Sequence, residues 1–200
     1  KGERKPKKMP ILGITITDQF FPDGLIVDIR DINKADRLLV PASKDLFEVP
    51  APLDPVNVDH FLCYKVKPPK GTEFPQGGQV LLVDQFIDPE DKLFDIGKPK
   101  RLCNPVSKEF PAGVVSGFQN PERHLMCYSV KPAEGEPKHE RTIINLNDQF
   151  GTTEEWQTKK EKELCVPSTK TLERVVFLTS TTTNGGNLGG LIGADTTCNT

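Results

Sequence analysis

Apolar and polar residues alternate over short segments of the chain, and the alternation recurs at three matched places. Ile14 and Ile16, Val80 and Leu82, and Ile144 and Leu146 each fall on alternate positions, and Phe20, Phe86 and Phe150 continue the same parity. A period of two puts such residues on one face of a strand, so each segment is predicted to bury that face. A second family of strands reads the same way: Leu62, Tyr64 and Val66 share a face, matched by Met126, Tyr128 and Val130. Leu25-Ile26-Val27-Asp28-Ile29 and Leu93-Phe94-Asp95-Ile96 supply further strands. Breakers separate them, among them Pro22-Asp23-Gly24, Pro68-Pro69-Lys70-Gly71, Gln76-Gly77-Gly78 and Pro132-Ala133-Glu134-Gly135. No stretch carries a helical period.

The matched places belong to a repeat. Asp-Gln-Phe occurs at Asp18, Asp84 and Asp148, at steps of 84 − 18 = 66 and 148 − 84 = 64. After each comes a Pro-containing segment: Arg37-Leu38-Leu39-Val40-Pro41, Arg101-Leu102-Cys103-Asn104-Pro105, and Glu163-Leu164-Cys165-Val166-Pro167. Ahead of the second and third tripeptides stand His60-Phe61-Leu62-Cys63-Tyr64-Lys65-Val66-Lys67 and His124-Leu125-Met126-Cys127-Tyr128-Ser129-Val130-Lys131. The expected fold is all-β: tandem small antiparallel β-sandwich or open-barrel repeats of about 64 residues. An incomplete leading repeat covers 1–52, two complete repeats cover 53–116 and 117–174, and a truncated further extracellular domain opens at 175–200. The recurring Asp is expected to end its strand by an Asx turn, with the Phe closing the core, instead of serving as a catalytic or calcium carboxylate.

Composition agrees with many short strands: hydrophobic residues are 36%, with 16 Gly and 18 Pro. A formal charge of −2 gives no pull toward nucleic acid. No apolar run approaches the roughly 18–20 residues of a membrane helix, so no membrane span is expected. Both ends read as cut, since the chain opens on Lys1 without a signal segment and Cys198 stands in a Gly-rich stretch.

Four of the five Cys occupy equivalent places in the two complete repeats, and four cysteines allow three pairings. The leading copy holds Leu39 where the later copies hold Cys103 and Cys165. Pairing across repeats would therefore leave Cys63 without a mate. Pairing within each repeat, Cys63–Cys103 and Cys127–Cys165, orphans nothing. Such bridges persist outside the reducing cytosol, so the protein is expected to be secreted or at the cell surface. Zinc is the rival reading, with His60 and His124 three residues before a cysteine. It lacks the close-spaced ligand pairs of a structural site, and period two puts His60 and Cys63 on opposite faces. The histidines are expected to make strand-edge hydrogen bonds.

The unit His-x-x-Cys-Tyr-x-Val-Lys, Asp-Gln-Phe, Leu-Cys-x-Pro-x-x-Lys resembles an uncharacterised repeat domain found in tandem in secreted proteins of myxobacteria and other environmental bacteria. The likeness covers most of residues 9–172, and the leading copy departs from it by lacking both cysteines. It implies location and architecture and carries no activity. The tail Asn187-Leu188-Gly189-Gly190-Leu191-Ile192-Gly193-Ala194-Asp195-Thr196-Thr197-Cys198 resembles the start of another uncharacterised extracellular family, related to C-type-lectin or endostatin-like folds. Its glycines fit neither a Walker loop nor a dinucleotide fingerprint.

No catalytic constellation, cofactor site or metal site is read from this inventory. There is no Gly-x-Ser-x-Gly elbow or His-Glu-x-x-His helix, His139-Glu140 stands alone, and Glu154-Glu155 beside Trp156 has no counterpart in the other copies. Asp28, Asp31, Asp88, Glu90 and Asp91 lack the alternating spacing of a calcium loop. The expectation is a non-catalytic spacer or adhesion module, with a carbohydrate-binding accessory region of a larger extracellular enzyme as the alternative. Its candidate partner is an extracellular polysaccharide or a cell-surface component. Lys98, Lys100 and Arg101, and Lys159, Lys160 and Lys162, are the candidate polyanion grip, against a reading of them as solvated edge charges. The sequence leaves the oligomeric state open.

Overall fold

The structure, a computed structural model, describes residues 8–53, 58–75, 77–84, 91–109, 115–116 and 119–172. The described residues are all-β, with antiparallel pairing throughout and no helix, hence none long and apolar enough to cross a membrane. The expected strand at 175–180, the Gly-rich tail, Cys198, Gln85 and Phe86 lie outside the described residues.

The strands are β1 (Ile11–Thr17), β2 (Leu25–Ile29), β3 (Ala35–Leu39), β4 (Ala42–Asp45), β5 (His60–Lys67), β6 (Gln79–Leu82), β7 (Lys92–Val106), β8 (Lys108–Glu109), β9 (Val115–Ser116), β10 (His124–Pro132), β11 (Ile143–Asp148), β12 (Gly151–Gln157) and β13 (Glu163–Leu172). Eight of them form one sheet in the order β3-β5-β2-β1-β13-β10-β7-β6. A further β5–β7 pairing joins β5, β2, β1, β13, β10 and β7 into a closed ring. Closure leaves few bare edges, which a sheet must otherwise protect.

Strands of all three segments pair with one another, where separate small units were expected. β3 pairs β5 through Arg37↔Cys63, Leu38↔Leu62 and Leu39↔Phe61. β7 pairs β10 through Arg101↔Cys127, Leu102↔Met126 and Cys103↔Leu125, the same register 101 − 37 = 64 positions later. A salt bridge recurs with it: Lys67 Nζ lies 3.5 Å from Asp28 Oδ2, and Lys131 Nζ lies 3.2 Å from Asp95 Oδ2.

The ring encloses one core. Ile14 and Ile16, Val27 and Ile29, Phe94, Ile96 and Leu102, Met126 and Tyr128, and Val166 are all buried in it, drawn from β1, β2, β7, β10 and β13. Alternation places them there as expected, and a buried aliphatic or aromatic side chain is worth about 1.5–3 kcal/mol in apolar transfer. The opposite face of the β5-β7-β10-β13 stretch carries the cysteines, packed with Leu39, Phe61 and Leu125.

Local chemistry explains the turns. Asp18 Oδ1 accepts the N–H of Phe20 at 2.9 Å and of Phe21 at 3.1 Å, which is the expected Asx turn. Asp148 Oδ1 accepts the Phe150 N–H at 2.7 Å, the same device in the third copy. Gly24 then takes φ +97°, where an added Cβ would also stand 3.0 Å from Thr15 Cγ2, so only glycine fits. Pro105 and Pro167 sit inside strands without loss: β10 pairs β7 only as far as Cys103, and β1 pairs β13 only from Thr169. Each proline thus has a strand on one edge alone.

The third hairpin departs from expectation. β11 and β12 leave the main sheet and pair with β4 in a three-stranded sheet. Asn145 and Asn147, not Ile144 and Leu146, are the buried positions of β11. Each is satisfied: Asn145 Oδ1 accepts the Glu155 N–H at 3.1 Å, and Asn147 Nδ2 donates to Pro50 O at 2.9 Å. Phe150, expected to close a core, is 72% exposed. Its counterpart Phe20 instead packs edge-on against Tyr128, with ring centroids 5.4 Å apart.

Candidate functional site

Both disulfides form as expected, Cys63–Cys103 and Cys127–Cys165. Each links residues directly opposite one another on neighbouring strands, with Cα atoms 3.9 Å apart. The two bridges lie side by side in one row across β5, β7, β10 and β13, Cys103 Sγ being 3.7 Å from Cys127 Sγ. All four sulfurs are oxidised and so are not zinc thiolates. His60 and His124 are both buried, on the core face of their strands. Burial, and next the Lys170 charge, hold the His124 imidazole below its ordinary range, and Glu122 opposes them. Lys170, itself depressed by burial, donates to Asn104 Oδ1 at 2.7 Å.

Beside the cysteine row runs a network of charges. Arg101 donates to both Asp36 and Glu163, Arg37 Nη1 meets Glu163 Oε2 at 2.8 Å, and Lys65 Nζ meets Asp36 Oδ1 at 3.0 Å. The Arg101 side chain is 12% exposed. Desolvation works against its charge, but the two carboxylates outweigh that and raise its pKa further. Burial likewise pushes the Asp36 carboxyl up, and hydrogen bonds from Arg101 and Lys65 more than reverse it. Arg101 therefore ties three segments together, and its charge is matched within the fold.

The remaining sequence-picked cations are Lys98, Lys100, Lys159, Lys160 and Lys162, all exposed. The ladder brings the two groups to one end of the sheet, on either side of β10. Ser129 Oγ donates to Lys98 O at 3.2 Å, while the next residue, Val130, donates its N–H to Lys162 O at 3.0 Å. The main chains at Lys98 and Lys162 are thus about 10 Å apart across two strand spacings. The nearby acids are occupied: Asp95 by Lys131 and Gln79, and Glu161 by the buried Lys92 at 2.9 Å. Glu161 also approaches His139 Nδ1 at 3.4 Å, so His139 belongs to this support.

Sequence reading missed a second basic place, an open cleft of about 760 Å³ lined by Lys8, Arg30, Lys34 and Lys65 with Asp31 and Asp36. The sequence signal is thin, because these cations come from three separate strands or turns. Asp31 is already bound, accepting the Met9 N–H at 3.1 Å and the Asn33 N–H at 3.2 Å. Of the other calcium candidates, Asp28 accepts the Gly13 N–H at 3.0 Å and pairs Lys67, Asp91 is exposed, and Asp88 and Glu90 lie outside the described residues. No group of three or more metal-ligating side chains occurs among the described residues. Trp156, next to Glu155, is 57% exposed on β12.

Comparison with protein-family models, with curated proteins and with solved structures finds no match to this chain.

Proposed function

We propose that this chain is a non-catalytic module of a secreted or cell-surface protein, built of tandem β repeats, which holds an acidic polysaccharide along the lysine rim around β10. The observation that carries the reading is the convergence of Lys98, Lys100 and Lys162 on the two sides of β10. Nearby Asp95 and Glu161 are already neutralised, so these cations face outward unmatched by that pair. A strip of fixed positive charge on a rigid sheet suits a polyanion better than a small substrate. Recurrence of the β3–β5 register in β7–β10 supports the tandem-repeat reading. The two disulfides are compatible with an extracytoplasmic place, where such bridges last. Likeness of the sequence unit to repeat domains of secreted environmental bacterial proteins points the same way.

Retention on immobilised acidic polysaccharide tests this. The triple variant Lys98→Ala, Lys100→Ala, Lys162→Ala is expected to elute at markedly lower salt than the unmodified chain, since exposed charges are screened within about 8–10 Å at physiological ionic strength. A control removing exposed Lys70 and Lys138 keeps most of the retention. Equal loss in both variants would reduce the effect to net charge and refute the site. Exposed Trp156 favours a second reading, a sugar-stacking surface of an accessory region. That reading requires Trp156→Ala to abolish binding to neutral glycans on an array.

A further inference from the structure

The two disulfides touch, and the row they form is open at one end. Its four sulfurs follow the strand order β5, β7, β10, β13. Cys103 Sγ lies 3.7 Å from Cys127 Sγ, a few tenths of an ångström beyond the roughly 3–3.5 Å of a near-attack contact. At the β5 end the row is shut: Arg37 of β3 stands opposite Cys63, and Leu39 packs against the sulfurs where the later copies place cysteine. At the β13 end it is not. β13 meets β1 only from Thr169 onward, so among the described residues Cys165 has no strand on its outer edge. Cys63, Cys103 and Cys127 are accordingly buried, and Cys165 is only partly so. Independently of the lysine rim, we infer that the pair is a thiol–disulfide exchange relay. Cys165 captures a low-molecular-weight thiol, and the Cys63–Cys103 bridge takes up the thiolate that is displaced.

The order of the sulfurs sets the direction of the exchange, because a thiolate attacks a disulfide from the side opposite the sulfur that leaves, and access decides which sulfur is attacked. The free edge of β13 is the side of Cys165 that faces away from Cys127. An external thiolate bonds to Cys165 Sγ, the Cys127–Cys165 bond breaks, and its electron pair goes to Cys127 Sγ. That thiolate has Cys103 next in the row. Attack there forms a Cys103–Cys127 bond, breaks Cys63–Cys103 and leaves the electron pair on Cys63 Sγ, which takes the proton that the external thiol lost. Two protein disulfides and one thiol become one protein disulfide, one mixed disulfide and one thiol, with no net oxidation. Cys63 sits among Leu39 and Phe61, an apolar setting that favours the protonated thiol over the returning thiolate. Arg101, bonded to both Asp36 and Glu163, links β7 to β13 while the bonds exchange.

Peptide mapping reads the relay directly. The oxidised chain carrying Cys198→Ser, which leaves only the four bridged cysteines, is incubated folded with reduced glutathione, trapped with N-ethylmaleimide and mapped without reduction. The expected map has glutathione on Cys165, a Cys103–Cys127 bond and maleimide on Cys63. Maleimide on Cys127 with Cys63–Cys103 intact in every adduct would overturn the inference. So would glutathione attached first at Cys63, or no attachment to the folded chain. A second measurement removes the entry bridge by Cys127→Ala with Cys165→Ala. With circular dichroism unchanged, release of the Cys63 thiol is expected to slow by about a hundredfold or more, since a thiolate held in contact acts at a high effective concentration. Equal rates would mean that glutathione reaches Cys63–Cys103 unaided, and would equally overturn the inference. Where that variant fails to fold, the map decides alone.

Discussion

The two tyrosines of this chain occupy the same position of the repeat, yet the fold gives them different surroundings, and Tyr128→Phe measures that difference. Tyr128 is fully buried, and its hydroxyl donates to Asp18 Oδ2 at 2.6 Å, a bond between residues 110 positions apart. Phe20 and Phe21 cover the ring, with centroids 5.4 and 5.7 Å away. Removing the hydroxyl deprives a carboxylate, itself 8% exposed, of one donor. Hydrogen bonds to charged groups contribute roughly 1.5–3 kcal/mol, so the variant is expected to lose about 2 kcal/mol. For a chain of this size that lowers Tm by about 4–8 °C. Tyr64 is half-buried, and Tyr64→Phe is expected to cost no more than about 0.5 kcal/mol.

Urea unfolding followed by far-UV circular dichroism gives both values. A second assay follows ionisation in the Tyr64→Phe chain, where Tyr128 is the sole tyrosine. Burial first, and then the Asp18 hydrogen bond, hold its phenol well above the ordinary 10.0. The unfolded chain releases this proton from about pH 10 upward while the folded chain keeps it, so stability is complete below that pH and falls as pH rises. The tyrosinate band should therefore appear only with unfolding. Equal costs for the two substitutions, or a tyrosinate band in the folded chain, would refute the Tyr128–Asp18 link.

Other predictions rest on separate contacts. Cys63→Ser with Cys103→Ser opens a bridge between residues 40 positions apart and is expected to cost about 4 kcal/mol in urea unfolding, with a matching loss for Cys127→Ser with Cys165→Ser. A loss below about 1 kcal/mol in either pair would contradict the chain-entropy account. Arg101→Met leaves Asp36 and Glu163 short of a buried donor and is expected to lose about 1–3 kcal/mol, against under about 0.5 kcal/mol for Lys98→Ala. Calorimetry at fixed pH separates the two, and equal losses would mean that Arg101 is no more tied than a surface lysine. Burial is the largest single influence on Asp36, Asp59 and Glu161 and pushes each up, but hydrogen bonds and neighbouring charges together outweigh it, led by Arg101, Asn120 and Lys92 respectively, and hold them below their ordinary 3.8 or 4.5. Their stabilisation is complete above those values and is lost as pH falls through the lower folded ones, so Tm should drop steeply below about pH 4.5. A Tm flat down to pH 2 would contradict it.

What the sequence made legible is what neighbouring strands decide between themselves. Asx turns at Asp18 and Asp148 need only the next two or three residues. The cysteine pairs became legible through Leu39, because one altered copy excludes the pairings that would orphan Cys63. Alternation placed Tyr64 and Tyr128 on one face and Cys63 and Cys127 on the other, as the ladder has them. Alternation does not say what covers a face, and there the three copies part. Phe20 and Phe150 end identical tripeptides, but Phe20 meets Tyr128 while β11 has turned away to pair with β4, leaving Phe150 in solvent. Closure depends on β1 meeting β13, through Ile14↔Leu172, a contact whose sequence separation no local pattern encodes. The meeting of the two lysine groups was hidden for the same reason, since it requires β10 to lie between β7 and β13. Leu38 and Leu102 make the point most sharply: the same residue in the same register, one bare and one buried, because a strand's period fixes which way a side chain faces and only its second neighbour decides whether that face is covered.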